Sequence, residues 1–313
     1  MKNLLITGIS GFVGSASAEY FLKKGYHIVG LVKDRNLKTR PEILNKCSIV
    51  NGDIRDKDCI QYILSKYEID EVLHLAAQPI VRICNNDPYT AYMTNVVGTL
   101  NLLESIRILK KKPNKIICMT SDKSYGAAPV PYKEDTPLVA ADSYCTSKLC
   151  QDSIARSYAL TYDLPVCIVR AGNLYGKGDL NLSRLIPNNV LKLLKGENAT
   201  LYSGVANYKR EFIYIDNIVN AYEVLLEKGV PGEAYNVGDN RPYKILDVIT
   251  MLKDKINPAL SVEILEKDFD EIEEQYLDAS KLKALGWTNF VPLSEGLDKT
   301  IEWLKNYKIF GNQ

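Results

Sequence analysis

The chain has 313 residues, enough to bury a full α/β core and to hold either one large unit or a nucleotide-binding domain with a smaller companion. Its 39 Lys and Arg against 38 Asp and Glu give a formal charge of +1, and no long single-sign block is present, which excludes the electrostatic footprint of a nucleic-acid or anionic-membrane binder. The opening MKNLLITG breaks at Thr7 and Gly8, too soon for a secretion signal, and no later stretch has the length of a membrane span, so the expected location is the cytoplasm. The seven cysteines (Cys47, Cys59, Cys84, Cys118, Cys145, Cys150, Cys167) are odd in number and show no CxxC spacing, which favours free thiols over a disulfide framework or a zinc site. The two histidines, His27 and His74, each fall within an expected strand. Chemistry therefore rests on Tyr, Lys, Asp, Ser or a cofactor, and no metal is expected.

Apolar runs at 2–7, 27–32, 48–50, 71–75, 115–120 and 165–170 read as strands, with helical patterns between them. This alternation predicts parallel βαβ units with right-handed crossovers, hence a doubly wound α/β sheet whose ligands collect at the strand C-termini. After Arg170 the order loosens into a Gly/Asn-rich loop, a helix over 185–195, a strand over 211–215 and a helix over 216–227, with further helices over 246–255 and 293–305. The expected division is a dinucleotide-binding domain over 1–172, with 209–237 returning to it, and a smaller substrate lobe over 173–208 and 238–313.

The first strand runs into TGISGFVG, which sets Gly8, Gly11 and Gly14 at GxxGxxG spacing ahead of an amphipathic helix. A tight turn, a close backbone approach to a pyrophosphate and free N–H groups at a helix start each account for one feature of this pattern. Phe12 and Val13 belong to the same expected contact. An acidic residue that grips the adenosine ribose should close the second strand, but Val32 stands there, followed by Lys33, Asp34 and Arg35. Asp34 suits the ribose hydroxyls of NAD, and Lys33 with Arg35 suits the 2′-phosphate of NADP; NAD is the expected cofactor and NADP the alternative. Asp53, in NGDIRD, ends the third strand, where its carboxylate either accepts from the adenine amino group or caps the next helix.

A Tyr-x-x-x-Lys pair lies on one helix face, where the ammonium stabilises a phenolate and lets tyrosine act as a base. Three such pairs occur: Tyr20/Lys24, Tyr62/Lys66 and Tyr144/Lys148. Only the third follows the fifth strand, so it is the catalytic candidate and the others read as solvated faces. The fifth strand itself ends in Ser121, Asp122 and Lys123. An isolated Ser-Asp-Lys turn is ordinarily a solvated loop, but its place at the crevice, upstream of the tyrosine helix, favours a reactive role.

Together TGISGFVG, HLAAQ (74–78), TNVVGTLNLLE (94–104), SDKSYG (121–126), Tyr144/Lys148 and RAGNLYGKGD (170–179) resemble the extended short-chain dehydrogenase/reductases that act on sugar nucleotides, the NAD-dependent epimerase/dehydratase family, over nearly the whole chain. AAQPIVR, TSDKSYG and RAGNLYGKGDLNLSRLIP are similar to CDP-glucose 4,6-dehydratases. The resemblance implies a Rossmann-type sheet, a tightly held nicotinamide and a homodimer. For the dimer, the helices over 88–109 and 143–162 carry more apolar positions than one sheet face should bury. Cofactor contacts are implied at Ile54, Leu75, Ala76, Ala77 and Asn95, besides Tyr144 and Lys148, and substrate contacts at Gln78, Asn173, Arg184 and Arg210. By residue type alone, Asn173 also suits a loop cap and Arg210 a surface ion pair.

The resemblance further implies an NDP-hexose 4,6-dehydratase cycle. Ser121 and Tyr144 would bond the hexose O4, with Tyr144 as base, while Lys148 binds the nicotinamide ribose. Lys123 would remove the C5 proton as Asp122 protonates the departing 6-hydroxyl. Other dehydratases of the family carry Asp-Glu at this pair and 4-epimerases carry small residues, so a 4-epimerase working through Tyr144 and the nicotinamide alone is the alternative. Two departures stand out: an arginine often found in the closing region is replaced near Gln275, and REFIYID is more epimerase-like.

Overall fold

From its start the chain alternates strands and helices: β1 (Asn3–Thr7), α1 (Phe12–Lys23), β2 (His27–Val32), the short α2 (Pro41–Leu44), β3 (Ser48–Asn51), α3 (Lys57–Lys66) and β4 (Glu71–His74). Next come α4 (Val81–Asn86), α5 (Pro88–Tyr92), a π-helical turn at Met93–Val97 and α6 (Gly98–Arg107). They lead into β5 (Lys115–Met119), a 3₁₀ turn at Asp122–Tyr125, α7 (Ser143–Tyr162) and β6 (Val166–Ala171). The computed structural model describes residues 1–33, 40–267, 271–288 and 290–307.

The later chain adds β7 (Asn173–Tyr175), α8 (Leu185–Leu194), β8 (Ala199–Tyr202), α9 (Ser203–Ala206), β9 (Lys209–Arg210), β10 (Phe212–Tyr214) and α10 (Ile215–Lys228). It closes with β11 (Ala234–Val237), β12 (Tyr243–Lys244), α11 (Ile245–Ile256), β13 (Val262–Leu265), β14 (Glu274–Gln275), α12 (Ser280–Ala284) and α13 (Leu293–Asn306).

Among the described residues, seven strands form one sheet in the order β11-β6-β5-β4-β1-β2-β3, every neighbouring pair parallel. Strand order reverses between β1 and β4, which opens a crevice at their C-terminal ends. Side chains alternate across the sheet: Leu4 and Ile6 join the core under α1 and α10, whereas Leu5 joins Val72, Leu102 and Ala155 under α3, α6 and α7. Helices on both faces explain why β4 and β6 are buried along their whole length. The small sheets β10-β7, β12-β9-β14 and β13-β8 are built from the chain that follows β6.

Two elements differ from the sequence expectation. The strand over 211–215 shrinks to β10, because Glu211 turns inward and its carboxylate accepts the backbone N–H groups of Asp239 and Leu277, at 2.8 and 3.0 Å. The helix over 88–109 runs unbroken to Arg107 but widens into the π turn, within which Asn95 faces inward and bonds Gln78 and Ser147. All seven cysteines are free. Among the described residues, no helix is long and apolar enough to cross a membrane and no cluster of three or more His, Cys, Asp or Glu could hold a metal.

Candidate active site

The turn after β1 works only with glycine. Gly8 has φ 71°, and a Cβ there would lie 2.8 Å from Ala76 Cα. A Cβ at Gly14 would lie 2.2 Å from the Gly8 carbonyl oxygen. Gly11 starts α1 with no side-chain cap and no acidic residue follows in the first turn, so the leading N–H groups from Phe12 and Val13 onward are left for an anion. Beside this turn, Thr7 Oγ1 accepts from the N–H groups of Leu75 and Ala76, both at 3.1 Å, and lies 2.8 Å from His74 Nδ1. His74 Nε2 lies 2.9 Å from Thr99 Oγ1, whose hydroxyl donates to Asn95 O. Thr99 is thus the acceptor, which assigns the imidazole proton to Nε2 and makes Nδ1 the acceptor from Thr7. Burial, then the nearby Lys148 charge, pushes His74 down to about 3. This neutral imidazole ties β1 to β4 and steadies the loop carrying Leu75, Ala76 and Ala77.

On the expected adenosine side, the cap of α3 is Asp56, which accepts from the N–H groups of Asp58 and Cys59. The capping reading of Asp53 is therefore overturned; two aspartates stand three residues apart and the helix begins after the second. Asp53 instead bonds Arg55 at 2.7 Å and faces Lys33 at 3.6 Å. Burial lifts its carboxyl, but the Arg55 hydrogen bonds outweigh that and hold it below the usual range. Ile54 packs on Gly98, where a Cβ would come within 2.8 Å of it. Asp34 and Arg35 lie outside the described residues. Asn95 is fully buried; it accepts from Gln78 N–H at 2.7 Å and donates to Ser147 Oγ at 2.8 Å, so its side chain holds the 75–78 loop against α7.

Asp142 caps α7 by accepting from Cys145 N–H at 2.8 Å, which starts the helix one residue before Tyr144. Tyr144 is 8% and Lys148 3% exposed. Burial raises the Tyr144 phenol well above its ordinary range, against a hydrogen bond with Ser121 that lowers it. Burial moves Lys148 the other way, down to about 8, and its Nζ donates to Gln151 Oε1 at 2.8 Å. At the end of β5, Ser121 Oγ accepts from Lys123 N–H at 3.2 Å and donates to Asp122 Oδ1 at 3.1 Å. Asp122 is 4% exposed, and burial lifts its carboxyl above the usual range against the opposing charges of Lys123 and Arg210.

Lys123 lines a cavity of about 430 Å³ whose walls include Asn173, Arg184 and Arg210. Arg210 is 6% exposed and donates from Nη1 to the carbonyls of Lys209 and Glu273, at 2.9 and 3.0 Å. Its Nη2 also meets the half-exposed Glu271 carboxylate at 3.5 Å, so the ion pair is present but the arginine itself is buried. Asn173 Nδ2 donates to Glu211 O at 3.2 Å, which ties β7 to the residue just before its partner β10 in place of a loop cap. Arg184 bonds Asp179 at 2.8 Å and lies over the Phe12 ring, between the glycine turn and the cavity. The other tyrosine–lysine pairs stand apart: Tyr20 bonds Asn220 and Glu223, and Tyr62 is half exposed with Lys66 at 2.9 Å.

Residues 5–300 match the GDP-mannose 4,6 dehydratase family. The chain belongs to that family. A trifunctional UDP-glucose 4,6-dehydratase/UDP-4-keto-6-deoxy-D-glucose 3,5-epimerase/UDP-4-keto-L-rhamnose-reductase of Arabidopsis thaliana is 30% identical over 316 residues, covering 96% of this chain and 47% of that protein. The chain thus spans about half the length of these plant relatives. The UDP-glucose 4-epimerase of Thermotoga maritima, solved with UDP-glucose, gives a TM-score of 0.87 at 27% identity, covering 97% of this chain and 98% of that one. The dTDP-glucose 4,6-dehydratase of Streptomyces venezuelae, solved with NAD, also gives 0.87 at 27% identity, covering 98% of both chains. Dehydratase and epimerase are equally similar, so the choice between them turns on the residues after β5.

Several buried polar groups escape the sequence reading. Glu211 has no exposed surface, and burial with the neighbouring Asp122 charge raises its carboxyl well above the usual range. Gly172 and Gly238 leave room for it, since a Cβ would lie 2.9 or 2.6 Å from its oxygens. Gln275 pairs in register with Arg210, and its amide Nε2 is buried with no hydrogen-bond partner. Asp152 and Arg170 form an ion pair with each side chain 3% exposed. The available signal was a charge at an otherwise apolar position, most visibly Arg170 at the end of VCIVR.

Proposed function

We propose that the chain is an NDP-hexose 4,6-dehydratase. The carrying observation is the Asp122–Lys123 pair at the end of β5, a buried carboxyl held toward its protonated form beside a lysine that lines the cavity. Oxidation and re-reduction of a hydroxyl alone need no such pair. The glycine cradle and the uncapped start of α1 fit a dinucleotide diphosphate, with Gly8, Gly11, Phe12, Val13 and Gly14 at the phosphates. NAD, when bound, supplies a reversible hydride acceptor for the hexose C4 and donor for C6.

The chain's own groups do the rest. Ser121 holds the hexose O4 and Tyr144 takes its proton. A phenol raised by burial becomes a base only beside positive charge, which Lys148 supplies one helical turn away. The C4 ketone acidifies C5; Lys123 takes the C5 proton, Asp122 gives its own to the 6-hydroxyl, and water leaves. Asn173, Arg184 and Arg210 are read as contacts to the nucleotide diphosphate, with Gln78 nearer the sugar. A CDP-glucose-like substrate is favoured by RAGNLYGKGDLNLSRLIP, although the relatives named above carry UDP and dTDP. The domain division proposed is 1–172 with 209–237, against 173–208 with 238–313; the pairing of β11 with β6 supports the return at 234–237, whereas β9 and β10 pair with strands of the lobe. Leu100, Ile108, Leu160 and Tyr162 leave apolar surface on α6, α7 and the turn after α6, which supports a homodimer through these helices. The enzyme is read as cytoplasmic.

A 4-epimerase is the second reading, favoured by REFIYID and the likeness to the Thermotoga enzyme. Lys123→Met separates the two. In a dehydratase it still reduces bound NAD on adding substrate while C5 hydrogen exchange and water loss nearly cease. Asp122→Asn keeps C5 exchange but slows water loss by roughly 10²–10⁴-fold. Full activity in Lys123→Met overturns the dehydratase.

A further inference from the structure

The two halves of the proposed chemistry stand on different pieces of chain. Tyr144 and Lys148 belong to α7; Asp122 and Lys123 belong to the 3₁₀ turn after β5. We infer that Arg170, on β6, is the positioning residue that sets these two pieces against each other, acting on the turn through Tyr125. Its Nε and Nη2 donate to the two oxygens of Asp152, at 2.8 and 2.9 Å. Asp152 lies one helical turn beyond Lys148 and two beyond Tyr144, on the same side of α7. Nη1 donates to Tyr125 Oη at 2.8 Å and to Glu134 O at 2.9 Å. Tyr125 is the last residue of the turn that carries Asp122 and Lys123, and it is fully buried.

Each end of this link is itself fixed. Tyr125 Oη donates to Asn236 Oδ1 at 2.8 Å, and Asn236 Nδ2 donates to Tyr132 O at 2.9 Å. Asp152 Oδ2 also accepts from Thr120 Oγ1 at 3.2 Å, one residue before Ser121. A planar guanidinium that uses one edge on a carboxylate and the other on a phenol holds both at a set angle, which a lysine in its place cannot do. Among the chain's own groups, oxidation at C4 uses Ser121 and the Tyr144–Lys148 pair of α7. Elimination across C5 and C6 needs both Lys123 and Asp122 placed correctly while the same sugar is held at O4, whereas oxidation meets the turn only through its cap Ser121, so error in the turn falls most heavily on elimination.

Tyr125→Phe tests this with little disturbance: it keeps the ring packed against Tyr132 and Leu277 and leaves the Arg170–Asp152 pair whole. Its C4 oxidation, read as reduced nicotinamide on mixing with NDP-hexose, stays within about twofold of wild type, while C5 exchange and water loss fall about 10- to 100-fold. A 4-keto sugar that retains its 6-hydroxyl then accumulates, with KM little changed and the melting temperature lowered by roughly a few degrees, because Asn236 Oδ1 loses its buried donor. The inference deepens the dehydratase reading and fails separately from it. If wild type loses water but Tyr125→Phe slows both steps together, or neither, the positioning role is overturned and the reading stands; a wild type that releases no water overturns both.

Discussion

His74 makes stability depend on pH in a way that can be worked out in advance. Unfolded, its imidazole titrates near 6.5; folded, burial and Lys148 hold it near 3. Between these values the unfolded chain binds the extra proton, so stability is full above the upper value and falls as pH falls through the window. At 1.36 kcal/mol per unit, the loss from this one group reaches about 2 kcal/mol by pH 5 and approaches about 5 kcal/mol near pH 3. The assay is denaturant unfolding of wild type and His74→Gln at about pH 8 and about pH 5, followed by tryptophan fluorescence. Glutamine keeps a donor for Thr99 and an acceptor for Thr7. Other groups shifted by burial, Asp122 and Glu211 among them, contribute to both proteins and cancel in the difference. Wild type should lose about 2 kcal/mol more than His74→Gln between the two conditions. Parallel losses would refute the buried neutral imidazole.

Gly14→Ala should abolish dinucleotide binding in a titration followed by nicotinamide fluorescence, because its Cβ meets the Gly8 carbonyl oxygen at 2.2 Å; retained affinity contradicts the cradle. Light scattering at micromolar concentration should give twice the chain mass, and Ile108→Glu with Leu160→Glu should give the monomer; a monomeric wild type rules the dimer out. NAD should bind at least about tenfold more tightly than NADP, since a cofactor oxidised and re-reduced within one turnover gains nothing from the reduced cellular NADP pool and Lys33 faces Asp53. Tighter NADP binding, lost when Lys33 and Arg35 are neutralised, would reverse this.

The parallel sheet is legible in the sequence because strands covered on both faces are continuous apolar runs, as in NLLIT and VCIVRA, and helices separate them. The turn after β1 is legible because only glycine meets its steric demands. What is hidden is whatever depends on partners far along the chain. β9 and β14 are two residues each, and Arg210 meets Gln275 across 65 positions, a pairing with no local period. Arg210 is buried because backbone carbonyls receive it, and a carbonyl leaves no mark in a sequence. NGDIRD offers two aspartates as caps, and only the start of the helix separates Asp56 from Asp53. Arg170 and Asp152 are 18 residues apart on a strand and a helix, so no periodicity joins them.

The measurement that bears most directly on the central claim is the mass of the product formed when the purified protein and NAD are incubated with a panel of NDP-hexoses, CDP-glucose among them. A dehydratase gives a product lighter by one water, with solvent hydrogen incorporated at C5. A product of the substrate's own mass and altered configuration at C4 contradicts the account and leaves Asp122 and Lys123 without the elimination role given to them.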